Sequence, residues 1–115
     1  MAPQSARPSL RERILRRDRF HCVYCADPFP GPELTLDHVE PRMRGGDGSE
    51  GNLVASCRAC NTEKAGMPAW AFLAERPEQR ANFLAAVESC DAGAASPVWN
   101  RLIRAIREAA DRAPG

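Results

Sequence analysis

The sequence predicts a small α+β domain in which a two-stranded hairpin is held by cysteines and flanked by helices at both ends. Two C-x-x-C pairs are separated by 31 residues, and two short runs of strand composition lie between them. Apolar residues recur at helical spacing before the first pair and after the second. With 115 residues, ten prolines and eight glycines, the chain should form one domain (residues 1–115) whose modest core benefits from a metal. We place that core at about residues 9–66 and a helical extension at about residues 67–113.

The first predicted element is a helix from Leu10 to about Arg19. Ser9 followed by Glu12 fits a capping box, and apolar residues then recur at helical spacing. Between residues 7 and 19, six arginines stand against two acidic residues, a local balance of +4. Because the net charge of the whole chain is only +1, any attraction to a polyanion would rest on such a patch. A solvated helix face is the simpler interpretation of these arginines.

The central elements are two strands joined by a long loop. Leu34–Val39 has strand composition and should end before Pro41, and Leu53–Ser56 forms the second strand. Residues 42–52 contain four glycines and cannot bury themselves, so they should form a hairpin loop that lies close to another backbone. The second cysteine pair then opens a short helix that should end at Gly66.

The C-terminal half is predicted to consist of helices packed over the metal-bound core. Pro68 and Pro77 each suit the first position of a helix, and apolar residues between positions 70 and 87 supply packing faces. Ser96 and Pro97 begin the last predicted helix. Its apolar stripe consists of Val98, Leu102, Ile106 and Ala109.

Nothing in the sequence indicates a membrane. No run approaches the roughly 18 apolar residues of a membrane span, and the N-terminus lacks the apolar stretch of a signal peptide. We therefore expect a cytoplasmic protein without a membrane partner. In a reducing compartment, closely spaced cysteine pairs are more often metal ligands than disulfides.

The two knuckles, Cys22-Val23-Tyr24-Cys25 and Cys57-Arg58-Ala59-Cys60, predict one zinc site with four thiolate ligands. Two residues between cysteines allow a tight turn to direct both sulfurs at one ion. A closed shell of four sulfurs has no position for a substrate, so this zinc should be structural. The competing interpretation is a thioredoxin-like dithiol, which normally has a single C-x-x-C beside a strand-helix-strand unit. Cys90 lies far from both pairs and is most simply a buried or idle thiol.

Four polar residues around the predicted hairpin are candidates for catalysis: Asp37, His38, Asn52 and Asn61. Each alone has an ordinary explanation, as polar surface or as a turn or capping residue. Together they surround one hairpin and one helix that the same zinc would hold. An imidazole titrates near neutrality and can accept a proton from water, while carboxylate and amide oxygens suit a hard cation.

The motifs in combination closely resemble HNH endonucleases of the ββα-metal, or His-Me finger, fold. The resemblance covers about residues 11–64, and the motifs that carry it are Cys22-x-x-Cys25, Leu34-Thr35-Leu36-Asp37-His38, Pro41, Gly45-Gly46, Asn52-Leu53-Val54, Cys57-x-x-Cys60-Asn61 and Lys64. The letters HNH stand for three residues of the family's motif. The third of them, His in the founding pattern, is Asn61 in this chain. An amide oxygen suits magnesium, whereas imidazole suits softer metals, so Asn61 shifts the expected metal towards Mg²⁺.

The resemblance implies an endonuclease that hydrolyses DNA phosphodiester bonds by a one-metal mechanism. His38 would be the general base that takes a proton from the attacking water. Asp37 and Asn61 would hold the catalytic divalent cation, Mg²⁺ or another such as Mn²⁺. Asn52 would tie the loop so that His38 points at the phosphate, and the four cysteines match the structural zinc site of many members.

DNA is the expected partner, and basic residues near the site could contact its phosphates. The candidates are Arg42, Lys64, Arg13, Arg16 and Arg17, with plain surface charge as the competing interpretation. Adjacent side chains on a regular strand face opposite ways, so the strand should end or bend at Asp37 and His38.

Two alternatives to an enzyme stay open. One is a noncatalytic zinc-bearing module that binds nucleic acid or protein. The other is a purely structural zinc domain whose C-terminal helices make protein contacts. Metal-dependent nicking of plasmid DNA separates either from a nuclease.

Overall fold

The computed structural model of the chain describes residues 8–41, 45–46, 48–88, 104–108 and 111–112. Its elements in order are helix α1 (Leu10–Arg17), a 3₁₀ helix (Gly31–Glu33), strand β1 (Leu34–His38), a second 3₁₀ helix (Glu50–Asn52), strand β2 (Leu53–Cys57) and helices α2 (Arg58–Lys64), α3 (Ala69–Ala74) and α4 (Pro77–Glu88). Residues 104–108 are also helical. The α+β class is confirmed. Among the described residues, no helix combines the length and the apolar character that a membrane span requires.

Helix α1 has the predicted start and an earlier end. The Ser9 Oγ accepts a hydrogen bond of 3.1 Å from the backbone N–H of Glu12, which satisfies a donor of the first turn. The helix ends at Arg17 rather than near Arg19. The physical reason is that Arg19 and Phe20 adopt left-handed backbone angles, with φ of 58° and 56°, which a right-handed helix cannot contain.

The two strands form an antiparallel hairpin in which Leu34 pairs with Cys57 and His38 pairs with Leu53. β1 is one residue shorter than predicted and β2 is one residue longer. Leu15 of α1 packs against one face of the hairpin, and all five residues of β2 are buried. The hairpin is therefore the middle layer between α1 and the C-terminal helices.

Helices α3 and α4 pack over the cysteine knuckles, as predicted. Pro77 is the first residue of α4, whereas Pro68 is the N-cap of α3, one position earlier than predicted. Among the described residues of this half, four large apolar side chains are fully buried in one cluster with the knuckle residues: Phe72, Leu73, Phe83 and Ile106. Ile106 belongs to the last predicted helix, of which Val98, Leu102 and Ala109 lie outside the described residues, as does Cys90.

Candidate active site

The four knuckle cysteines converge on one point. Their Sγ atoms all lie within 4.8 Å of one another, and those of Cys25 and Cys57 are 3.9 Å apart. A tetrahedral zinc ion with metal–sulfur distances of about 2.3 Å needs sulfurs about 3.8 Å apart. The donor set and its spacing therefore fit a metal such as zinc.

Hydrogen bonds from the backbone shape each knuckle. The N–H of Cys25 lies 3.5 Å from the Cys22 sulfur, and the N–H of Cys60 lies 3.4 Å from the Cys57 sulfur, which also caps α2. Burial raises the pKa of the Cys25 thiol to about 12 and raises the pKa of Cys60 as well. Burial acts in the same direction on Cys22, but backbone N–H groups lower its pKa overall. Four clustered thiolates need a cation between them to balance their negative charge.

Asp37 lies on the face of β1 that is turned towards the first knuckle and α2. Its side chain is only 5% exposed. The hydroxyl of Tyr24 donates to Oδ2 at 2.6 Å, and the ammonium of Lys64 donates to Oδ1 at 3.2 Å. Burial, followed by the charge of Asp37, raises the pKa of Tyr24 well above its ordinary value, so the phenol remains a donor. One carboxylate thus joins the first knuckle, β1 and α2.

His38 is the last residue of β1 and is partly buried. Because it directly follows Asp37 in a strand, the two side chains leave the hairpin on opposite faces. The strand ends at His38, the second of the two positions at which an end or bend was expected, and both residues still pair with β2. The carbonyl oxygen of His38 accepts a hydrogen bond of 3.0 Å from Lys64, which anchors the backbone of the strand end to α2.

Asn52 ties the two ends of the hairpin loop together. Its Oδ1 accepts from the backbone N–H of Glu40 at 2.8 Å, and its Nδ2 donates to the carbonyl of Glu40 at 3.0 Å. The side chain is buried, and its partner stands two residues after His38. A Cβ atom on Gly46 would lie 1.7 Å from the Glu40 carbonyl oxygen, so the loop needs glycine there. The predicted close approach of two backbones is confirmed at this point.

Asn61 lies in α2, directly after Cys60 and three residues before Lys64. Residues three apart share one side of a helix. The Lys64 ammonium reaches Asp37, so α2 lies beside β1. Asp37 and Asn61 thus belong to two neighbouring elements, and their joint role in cation binding stays a prediction.

Two of the candidate phosphate contacts have strong partners inside the protein. Lys64 is 1% exposed and holds Asp37 and the His38 carbonyl. Arg17 has a side chain only 12% exposed that pairs with Asp18 at 2.8 Å. It also donates to the carbonyls of Glu50 and Leu53, at 2.9 and 2.6 Å. Arg17 thereby attaches α1 to the start of β2.

The remaining candidates differ in how exposed their side chains are and in how closely they pair with acidic residues. Arg13 pairs with Glu50 at 2.8 Å and is 43% exposed. Arg16 is 67% exposed and forms a long ion pair of 3.9 Å with Glu12. Arg42 lies outside the described residues. Phosphate contact stays a prediction for all of these residues, and the geometry favours Arg16.

Sequence reasoning missed two features of the site. It assigned no role to Tyr24, for which the only available signal was its position between the cysteines of the first knuckle. It placed Lys64 among residues that contact phosphate, whereas the structure pairs its ammonium with Asp37. Neither contact could be found from spacing, because the partners are 13 and 27 residues apart.

Comparisons with known proteins agree with the motifs. Residues 22–66 match the family model of the HNH endonucleases. The CRISPR-associated endonuclease Cas9 of Corynebacterium diphtheriae is 34% identical over 59 residues, which cover 50% of this chain and 5% of that protein. The crystal structure of the Type II-C Cas9 enzyme from Actinomyces naeslundii matches with a TM-score of 0.63 and 23% identity, over 91% of this chain and 11% of that one.

The two Cas9 proteins are far longer than this chain, which spans 5% of the first and 11% of the second. At 23% identity, the structural match shows a shared fold. The family match covers both knuckles, the hairpin and α2, which are the elements that position the site. Residues 22–66 are therefore similar to the HNH endonuclease family, as the motifs predicted.

Proposed function

We propose that this chain is a metal-dependent endonuclease that hydrolyses DNA phosphodiester bonds with His38 as the general base. The observation that carries the proposal is the placement of Asp37 and His38 at the end of β1, beside the helix that bears Asn61 and between two knuckles whose cysteines converge. The HNH match over residues 22–66 supports a nuclease.

His38 is suited to general-base chemistry because it carries an imidazole and because hydrogen bonds hold the backbone beside it. A neutral imidazole accepts a proton from water near physiological pH. The backbone that follows the ring is held at two points, by Lys64 at the His38 carbonyl and by Asn52 at Glu40. Holding the backbone in this way limits the directions in which the ring can point, which favours one orientation towards the scissile phosphate.

Asp37 and Asn61 are the proposed ligands of one divalent cation, Mg²⁺ or another such as Mn²⁺. Carboxylate and amide oxygens are the hard donors such ions prefer, and Mg²⁺ commonly keeps several waters beside one or two protein ligands. The ammonium of Lys64 beside Asp37 is consistent with a position that accepts positive charge. A bound cation would offset negative charge on the phosphate and on the leaving oxygen.

The metal at the knuckles is proposed to be zinc with a structural role. Four thiolates complete a tetrahedral shell and leave no position for a substrate. Its contribution would be to hold the first knuckle against the start of α2, and so to fix the hairpin between them. We place all of this in one domain spanning residues 1–115.

A noncatalytic zinc-bearing module that binds nucleic acid or protein is the second candidate. The observation that favours it is the buried ion pair between Lys64 and Asp37. In this pair the ammonium already neutralises the proposed metal ligand, so no metal ion is needed to balance its charge. A nuclease and such a module differ in one measurable property, the hydrolysis of DNA in the presence of a divalent cation.

The test is nicking of supercoiled plasmid by purified protein over a range of Mg²⁺ and Mn²⁺ concentrations. His38→Ala should lose about 10²- to 10⁴-fold in rate while keeping its zinc and its DNA binding. The matched control is His21→Ala, which alters the other histidine, exposed and outside the hairpin. Wild-type cleavage by His38→Ala would exclude the proposed base. A wild type that binds DNA and never cuts it would establish the noncatalytic module.

A further inference from the structure

Tyr24 is held on every side by the core of the protein. The residue is fully buried between Cys22 and Cys25 of the first knuckle. Its ring packs edge-to-face on Phe72, with centroids 5.4 Å apart, and stacks on Phe83 at 5.7 Å. Its carbonyl oxygen accepts a hydrogen bond of 2.8 Å from Asn82 on α4. The hydroxyl therefore has a well-defined position, and Asp37 lies at its tip.

The first knuckle connects Tyr24 both to the metal centre and to the hairpin. Residue 24 stands between two sulfur ligands, so it cannot move far without displacing one of them. The neighbouring N–H of Val23 donates to the Ala55 carbonyl of β2 at 3.0 Å, which ties the same turn to the sheet. The Tyr24 hydroxyl then reaches β1 through Asp37.

Asp37 has two oxygens with different partners. Oδ2 receives the Tyr24 hydroxyl at 2.6 Å, and Oδ1 faces the Lys64 ammonium at 3.2 Å. A carboxylate oxygen that accepts one hydrogen bond keeps a further lone pair, so Tyr24 leaves the carboxylate able to bind a cation. What the phenol restricts is the orientation of the carboxylate plane. Outer hydrogen bonds of this kind commonly orient metal ligands.

We propose that Tyr24 is a positioning residue for the catalytic cation: its hydroxyl orients Asp37, so that the metal centre at the knuckles sets the affinity of the cation site. This inference rests on the proposed function, in which Asp37 is a cation ligand. It assigns Tyr24 no contact with DNA or with the reacting atoms.

A spectroscopic test uses the fact that Tyr24 is the only tyrosine of the chain. Protein produced with 3-fluorotyrosine carries one fluorine label at this position. Adding Mg²⁺ to the zinc-loaded protein should shift the ¹⁹F resonance, and the midpoint should agree with the Mg²⁺ dependence of nicking. The same titration of Asp37→Ala should give no shift. A resonance in the otherwise wild-type protein that does not respond to saturating Mg²⁺ would overturn the inference.

A variant test uses Tyr24→Phe, which removes the hydroxyl and keeps the ring. Zinc content should equal that of the wild type, whereas the Mg²⁺ concentration for half-maximal nicking should rise roughly 10- to 100-fold. The maximal rate at saturating Mg²⁺ should stay close to the wild-type rate. The control is Leu84→Ala, which disturbs the same core cluster but keeps both rings that hold Tyr24 and its hydrogen bond, and it should leave the Mg²⁺ dependence unchanged.

The outcomes separate the inference from the function on which it rests. A wild type that neither binds Mg²⁺ nor nicks DNA would remove both. If the wild type needed a cation for nicking and Tyr24→Phe had the same Mg²⁺ concentration for half-maximal nicking, the inference alone would be wrong. If Tyr24→Phe lost zinc or failed to fold, the fluorotyrosine titration of the wild-type sequence would decide.

Discussion

The ammonium of Lys64 at the end of α2 lies 3.2 Å from a carboxylate oxygen of Asp37 on β1, and the two side chains are only 1% and 5% exposed. A buried charge is costly unless it is paired, so each side chain makes the burial of the other possible. The pair also places a removable positive charge at the proposed cation ligand. Lysine and cation would then compete for one carboxylate.

The first prediction concerns this competition. Lys64→Met leaves the Asp37 charge buried without its ammonium, so the free energy of unfolding without added magnesium should fall by about 3–5 kcal/mol. Because Mg²⁺ would supply the missing charge, it should stabilise the variant more than the wild type. Denaturant unfolding of zinc-loaded protein, with and without Mg²⁺, measures both effects.

An exposed ion pair provides the control for Lys64→Met. Glu88 and Arg107 are 60% and 58% exposed, and Glu88→Gln should cost less than about 1 kcal/mol whether or not Mg²⁺ is present. If Lys64→Met were as stable as this control, the buried pair would contribute nothing to the free energy of unfolding.

The second prediction concerns the loop that follows His38. Gly46→Ala places a Cβ 1.7 Å from the Glu40 carbonyl oxygen, so the loop must move away from the residue that Asn52 holds. A displacement near 1 Å can cost about 10²-fold in rate, and we expect a loss of that order in plasmid nicking. Gly66→Ala is the control, because a Cβ there meets nothing within 4 Å. Equal rates for the two variants would contradict the proposed role of the loop.

The third prediction concerns the knuckles. Cys57→Ser removes one of the four convergent sulfurs while its hydroxyl can still cap α2, so zinc content and melting temperature should both fall sharply because of the lost ligand alone. Elemental analysis and thermal unfolding measure the two losses. Cys90→Ser, which changes the cysteine outside both knuckles, should behave as wild type. Full zinc content in Cys57→Ser would rule out the four-cysteine shell.

The fourth prediction separates two neighbouring arginines of α1. Arg16 is exposed, so Arg16→Ala should flatten the log–log dependence of DNA binding on salt by roughly 0.9 and leave stability unchanged. Arg17 holds two carbonyls and Asp18, so Arg17→Ala should instead lower the free energy of unfolding by roughly 1–3 kcal/mol. Salt titrations of DNA binding and denaturant unfolding test the pair. An unchanged slope in Arg16→Ala would make Arg16 plain surface charge.

Local patterns in the sequence predicted most of the elements. The Ser9 cap, the hairpin between the knuckles, the helix at the second knuckle and the start of α4 at Pro77 all depend on residues close together in the chain. The end of α1 was predicted two residues too late, because nothing in the side chains of Arg19 and Phe20 signals their left-handed backbone.

By itself, the sequence determined the two cysteine knuckles, the α+β order and the resemblance to HNH endonucleases, because each depends on residue type and short spacing. Only the tertiary structure decided what surrounds Asp37. Tyr24 and Lys64 stand 13 and 27 residues away from it, and they meet at its carboxylate only once the knuckles, β1 and α2 have packed together. Contacts of that range follow from the packing of whole elements, and no local pattern carries them.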